Sequence, residues 1–143
     1  MNFRLWLEDR EFRHSKILGL KPDAPVTEVN GVKFVKPPRA EGDVVVMTDI
    51  KKFDEAWGRD RNFYIPPGGG RNAIGNRYEQ FIDFLSMGQP IVMPEVSMWE
   101  GMSMPAFTNG RHRYCVLRDK GWEKMPMCVD PDTAPEFREL YEV

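Results

Sequence analysis

Cysteine is scarce in this chain: Cys115 and Cys128 are the only two. Two thiols are too few for a disulfide scaffold, so both are expected to be reduced, in a cytoplasmic protein. Long apolar runs are missing as well. Nothing approaches the ~18 residues needed to cross a bilayer, so a membrane span is not expected. The first ten residues, MNFRLWLEDR, set Arg4, Glu8, Asp9 and Arg10 where a signal peptide would be apolar, which argues against export by that route. Nor is there a surplus of positive charge. Twenty Lys and Arg stand against twenty-two Asp and Glu, a formal charge of −2. Proteins that live on nucleic-acid phosphates usually carry a basic excess, so DNA binding here would need a local patch. Internal repeats and low-complexity tracts are absent too.

What is present fits one domain. With 143 residues, 41% of them apolar and 29% charged, the chain can bury one core and is not a disordered tail. Twelve Pro and twelve Gly predict many turns. Residues 1–20 are ambiguous between strand and short helix. Four prolines between Lys21 and Pro38 exclude a helix there, and VKFVK (32–36) between them is a short strand or an arm. From Asp43 the pattern clears. DVVVMT (43–48) predicts a buried strand, and Thr48 or Asp49 can cap a helix over IKKFDEAW, whose Ile50, Phe53 and Trp57 have helical spacing. A helix starting near Asn76 would bury Tyr78, Phe81, Ile82 and Leu85 and end at Gly88. QPIVMPEVSMW (89–99) predicts one strand with Pro94 at an edge or bulge, joined to a strand over MPAFT (104–108) by a hairpin around Glu100 and Gly101. NGRHRYCVLRDKG predicts a turn and a helix stopped by Gly121, EKMPMCVD (123–130) a strand, and PEFRELYEV a closing helix. The expected fold is α+β, a small mixed β-sheet covered by helices, over residues 43–143, with residues 1–42 as an N-terminal extension.

Two segments join a glycine turn to a helix start with Arg and Asn nearby: Gly68-Gly69-Gly70-Arg71-Asn72 ahead of the helix containing Arg77, and Asn109-Gly110-Arg111-His112-Arg113. A helix start has unpaired N–H groups and partial positive charge, glycine lets an anion approach the backbone, and Arg grips its oxygens in a planar fork. Two such starts facing one cleft would suit the phosphates of a nucleotide. Each also has a plain reading. A GGG run by itself is a flexible loop, it lacks the Lys-Ser/Thr ending of a Walker loop, and GRHR alone is a solvated helix start.

At the second segment, FTNGRHRYCVLRDKGWEKMPMCV resembles the signature of the ParB/sulfiredoxin superfamily, and the upstream VVVMTDIKKF and GQPIVMPEV are similar to its preceding steps. The resemblance spans about residues 43–130. It implies a ParB/sulfiredoxin-like fold binding ATP or CTP, with Mg²⁺, through Asn109, Gly110, Arg111, His112, Arg113 and Arg71. Activities in that superfamily diverge among sulfinic-acid reduction, DNA clamping, amino-acid phosphorylation and nuclease action, so fold does not fix function. Sulfiredoxins place a catalytic Cys directly before the His-Arg pair. Arg111 stands there in this chain, which argues against sulfinic chemistry and makes Cys115, one turn on, a core residue. ParB clamps carry a helix-turn-helix domain after the nucleotide domain, for which this chain leaves no room.

No general base stands out. Asp49, Asp54, Glu55, Glu79 and Asp83 are carboxylates that could hold Mg²⁺ beside phosphates, and Asp49, at a strand end, is the candidate catalytic residue. His112 and Cys115, with Cys128 and His14, make too thin a set for structural zinc, so no protein-held metal is expected. The Met-rich MWEGMSMP (98–105) is either an adaptable contact surface or a hairpin packed on the core. Three functions remain. One is a nucleotide-binding protein with phosphoryl transfer or hydrolysis. The next is a nuclease or DNA-binding module using Arg71, Arg77, Arg111, Arg113 and Arg118. The third is a phage or mobile-element module that engages a protein through a vestigial pocket.

Overall fold

An Asn-Gly pair with positive φ at both positions, Asn30 (52°) and Gly31 (77°), makes the tight turn that a two-residue hairpin needs. It joins strand β1 (Val26–Val29) to β2 (Val32–Val35) in antiparallel register, Val29 opposite Val32. The computed structural model that shows this describes residues 26–69, 76–99 and 101–143. The expectations for residues 1–20, and for Arg71 and Glu100, lie outside that range. After a 3-10 turn at Pro38–Ala40 the order is β3 (Val44–Asp49), α1 (Ile50–Trp57), α2 (Arg77–Leu85), β4 (Ile91–Val92), β5 (Glu95–Met98), β6 (Pro105–Asn109), α3 (Arg111–Asp119), β7 (Lys124–Val129) and α4 (Ala134–Tyr141).

The fold is α+β, but its strands form two sheets rather than one. The smaller has the order β1-β2-β4 and the larger β3-β7-β5-β6. Each mixes directions: β2 runs parallel to β4, and β7 is parallel to β5 and antiparallel to β3. The expected single strand over 89–99 is cut at Met93-Pro94. Met93 N–H still bonds to Val35 in the small sheet (2.8 Å), while the Pro94 carbonyl accepts from Cys128 N–H in the large one (2.9 Å). Proline has no N–H to give to a ladder, so the change of sheet falls there.

Residues 26–42, read from sequence as part of an extension, are built into the body of the fold. Val29, Phe34 and Ala40 belong to the same apolar core as Val46, Tyr114 and Met127, and the Phe34 ring meets Trp122 edge-on at 5.9 Å. VKFVK is therefore a strand, paired with β1 on one side and with Ile91 and Val92, far along the chain, on the other. The centre of the core is aromatic. Phe53 of α1 lies 5.1 Å from Tyr114, 5.4 Å from Phe107 and 5.9 Å from Tyr141, mostly edge-to-face, an arrangement worth ~0.5–1.5 kcal/mol per pair beyond burial. On α2 the buried face is narrower than expected. Phe81 is buried and Tyr78 and Leu85 half-buried, but Ile82 is exposed and Phe84 packs in its place.

Candidate functional site

Strand β6 ends at Asn109, exposed and opposite Glu95, and Gly110 turns the chain into α3 in the left-handed region (φ 92°, ψ 15°). A Cβ there would fall 2.7 Å from Arg113 Nη2 and 2.9 Å from Pro94 Cα, so only glycine fits. The space that glycine was expected to open for a phosphate is, on this side, filled by the protein's own arginine. Arg113, nominated for phosphate, turns its guanidinium inward. Its guanidinium folds back over Gly110 and Pro94, and its Nε is buried with no hydrogen-bond partner among the described residues. Burial pulls its pKa down to about 10 against the pull of Glu95, with Arg39 adding to the fall. Glu95, itself buried, bonds Arg39 Nε at 2.8 Å.

The neighbouring arginines concentrate positive charge around a neutral histidine. His112 is buried at the start of α3, and its pKa is pushed down to about 4 by burial and then by Arg111, Arg77 and Arg113. Arg111 belongs to the same turn and also lines a groove of about 300 Å³ with Asp60, Trp57, Phe107, Phe63 and Trp99. Asp60 was not singled out by sequence. Its only sequence mark is the turn it makes, with Oδ1 accepting from Asn62 N–H (3.1 Å) and Phe63 N–H (3.2 Å). The Met-rich stretch is the β5–β6 hairpin, with Met98 buried and Trp99 and Met102 exposed at its tip.

Other nominated residues lie elsewhere. Asp49 caps α1 through Oδ1, which accepts from Lys52 N–H at 3.1 Å. It pairs with Lys124, whereas Asn109 pairs with Glu95 and Glu95 with Cys128. In the order β3-β7-β5-β6 that separates Asp49 from the start of α3 by four residues along and three strands across, on the order of 15–20 Å. Of the first glycine-led segment only Gly68 and Gly69 lie within the described residues. Gly68 N–H (3.0 Å) and Tyr78 Oη (2.7 Å) both donate to Oδ2 of Asp119, the last residue of α3. The charge of Arg77, at the start of α2, also reaches His112.

Arg118, grouped by sequence with a DNA-binding set, is a buried structural ion. Its side chain is 7% exposed, with Nη1 on Asp54 Oδ1 (3.1 Å) and Ile65 O (2.6 Å) and Nε on Asp119 Oδ1 (2.9 Å). Asp54 also accepts from Tyr64 Oη and Tyr114 Oη, both at 2.8 Å, so this carboxylate is taken up within the fold. Cys115 and Cys128 are fully buried free thiols that burial pushes up to about 12, far from the range of a reactive thiolate. Among the described residues no three His, Cys, Asp or Glu converge as metal ligands, and no helix is long and apolar enough to cross a membrane.

Fold and site together define a small α+β protein with a basic, glycine-led helix start beside an aromatic groove. No protein-family model matches the chain, and no curated protein does. Among solved structures it is similar to the Oncogenic Suppression Activity Protein, described as a plasmid fertility inhibition factor and crystallised as a gold(I) cyanide derivative. The TM-score is 0.59 at 19% identity, over 99% of this chain and 85% of that one, a likeness of fold.

Proposed function

We propose that the chain binds the phosphate of a nucleotide, ATP or CTP, at the start of α3, as a ParB/sulfiredoxin-like domain. One observation carries this reading: Arg111, His112 and Arg113 share a first helical turn within reach of the charge of Arg77. Against them stands Glu95, which is already bonded to Arg39. Positive residues at a helix N-terminus oppose the macrodipole, so such a cluster lowers stability until an anion joins it. Phosphate oxygens would take the N–H groups of the first turn and the fork of Arg111, while Arg113 supports them by charge from behind Gly110. The proposal is binding alone. Asp49 is engaged as a helix cap and Asp54 is held by two tyrosines and an arginine, so no hydrolytic step is assigned to either.

Calorimetry with ATP, CTP and inorganic pyrophosphate tests it. Arg111→Ala should remove a charge-assisted contact of ~1.5–3 kcal/mol, about ten- to a hundredfold in affinity, with Arg111→Lys restoring only part. Unchanged affinity in Arg111→Ala, or no binding by the parent protein at millimolar ligand, rejects the reading.

A second reading is favoured by the structural likeness: a mobile-element protein that interferes with plasmid transfer. The exposed Trp99, Phe63 and Met102 would offer a partner protein its contact surface. Conjugation frequency of a test plasmid with and without the expressed protein decides it.

A further inference from the structure

Asp60, which lines the groove beside α3, has a buried acceptor that no donor among the described residues uses. Asp60 is 5% exposed and lines the groove. Its Oδ1 is engaged by the backbone N–H groups of Asn62 and Phe63. Its Oδ2 is buried with no hydrogen-bond partner among the described residues. A carboxylate oxygen only accepts, and leaving one buried without a donor is costly, so a ligand that brings an N–H gains more there than at a hydrated surface. The surrounding walls say what shape that ligand has. Phe63 and Trp99 line the groove and stay 47% and 42% exposed, two aromatic faces left open at its rim, with Trp57 and Phe107 beneath. A volume of about 300 Å³ is at the lower limit of small-molecule pockets, room for one flat ring and not for a whole nucleotide. Arg111 joins the groove to the start of α3, so a ring in the groove and a phosphate on that helix can belong to one molecule.

We propose that the groove is a nucleobase subsite that selects bases carrying an exocyclic amine: the base stacks on Phe63 and Trp99 and its amine donates to Asp60 Oδ2. This rests on the phosphate reading above and adds the class of base to it. Adenine, cytosine and guanine have the required donor. A base with no N–H on that edge leaves Oδ2 unpaired, and a carbonyl on the same carbon sets two acceptors against each other. Sites built to hydrogen-bond a polar group reject analogues that lack it more strongly than apolar pockets reject extra bulk. The base can come from a free nucleotide or from a single strand of nucleic acid, since stacking on aromatic faces serves both.

Tryptophan fluorescence provides the test, because Trp57 and Trp99 both line the groove. Adenosine is titrated against purine riboside and cytidine against 2-pyrimidinone riboside, each pair differing in the amine. The parent protein should favour the amine-bearing member by tenfold or more. Asp60→Asn keeps a carbonyl oxygen for the N–H groups of Asn62 and Phe63 but presents an NH₂ to the groove, so the preference should vanish or reverse. Trp99→Leu, at an exposed position, should weaken all four ligands alike without altering the preference. AMP against a short single-stranded dA oligomer, on the same protein, identifies the source of the base. Inorganic pyrophosphate is titrated in parallel. Pyrophosphate binding with no amine preference, or a preference that survives Asp60→Asn, overturns the base subsite and leaves the phosphate reading standing. An amine preference without pyrophosphate binding supports the subsite and rejects the phosphate reading.

Discussion

The two ends of helix α3 carry the same kind of residue and have opposite physics. At its C-terminal end Arg118 is nearly fully buried, and the fold supplies it with two carboxylates, Asp54 and Asp119, and the carbonyl of Ile65. Those carboxylates are satisfied in turn by Tyr64, Tyr114, Tyr78 and the Gly68 N–H. Burial and the nearby carboxylates push Tyr64 and Tyr78 up to about 12, so both phenols remain donors at any working pH. A cation near a helix C-terminus is also on the favourable side of the macrodipole. At the N-terminal end Arg111 and Arg113 sit on the unfavourable side, where the charge of Arg77 reaches His112 and those of Glu95 and Arg39 reach Arg113. Arginine content therefore does not mark a site. What distinguishes the two ends is how the fold places its carboxylates: Asp54 and Asp119 bond Arg118 directly, whereas Glu95, whose charge reaches Arg113, is bonded to Arg39.

The largest effect that would break this comparison is on the compensated end. Arg118→Ala leaves Asp54 and Asp119 without their common cation in a largely buried setting, and the expected loss is ~3–5 kcal/mol in urea denaturation at pH 7. A change within ~0.5 kcal/mol would put Arg118 among ordinary surface arginines. The next effect belongs to the N-terminal end and depends on pH. His112 has a folded-state pKa near 4 against 6.5 in the unfolded chain, lowered by burial and by Arg111, Arg77 and Arg113. As pH falls through 6.5 the unfolded chain takes up the proton first, so stability is whole above that pH. It then declines towards pH 4, by on the order of 2–3 kcal/mol. Asp119 is also lowered, because Gly68 N–H, Tyr78 and Arg118 outweigh the effect of its burial. Its contribution is present above the ordinary carboxylate value of 3.8 and is lost only below it, in a separate window. Melting curves from pH 7 to 4 on the parent and on His112→Asn should differ in slope above pH 4 alone. Pyrophosphate should stabilise the parent most at the acid end of that range, since an anion favours the imidazolium. A flat parent profile over pH 6.5–4 would remove the electrostatic distinction between the ends.

Much of the fold was legible because its signals are local. The β-branched run gives β3, Asp49 is an N-cap ahead of Ile50, Phe53 and Trp57, and Gly110 and Gly121 bound α3, both with positive φ. VKFVK is a strand through two partners: β1 across the Asn30-Gly31 turn, a local signal, and Ile91 and Val92, which no local rule connects to it. Pro94 was legible as an irregularity but not as the change from one sheet to the other, because that needs the positions of Val35 and Cys128. The site divides in the same way. The helix start at Gly110–Arg113 follows from spacing and composition, but the inward turn of Arg113 depends on Pro94 lying against Gly110, a contact made by β5–β6 pairing. Asp60 had no motif to reveal it. Its significance comes from the walls that α1, β5 and β6 place around it.

Asp49 gives the smallest effect and the sharpest control, because it was the carboxylate nominated for catalysis. Its Oδ1 satisfies the Lys52 N–H at the first turn of α1, and strand register sets it on the order of 15–20 Å from the start of α3. Asp49→Ala should then cost about 1 kcal/mol, the ordinary loss of an N-cap, and Asp49→Asn should cost almost nothing because its amide oxygen caps equally well. Neither change should alter pyrophosphate or nucleotide affinity. A cap and a catalytic or metal-binding carboxylate respond differently to this pair of variants. Asn replaces Asp as a cap, but it cannot replace the charge that holds a cation beside phosphates. Stability measured with affinity on both variants therefore reads the role directly. If Asp49→Asn kept the fold at full stability and lost ligand affinity tenfold, the acidic strand end would belong to the site, and the contrast between the ends of α3 would no longer be enough to locate it.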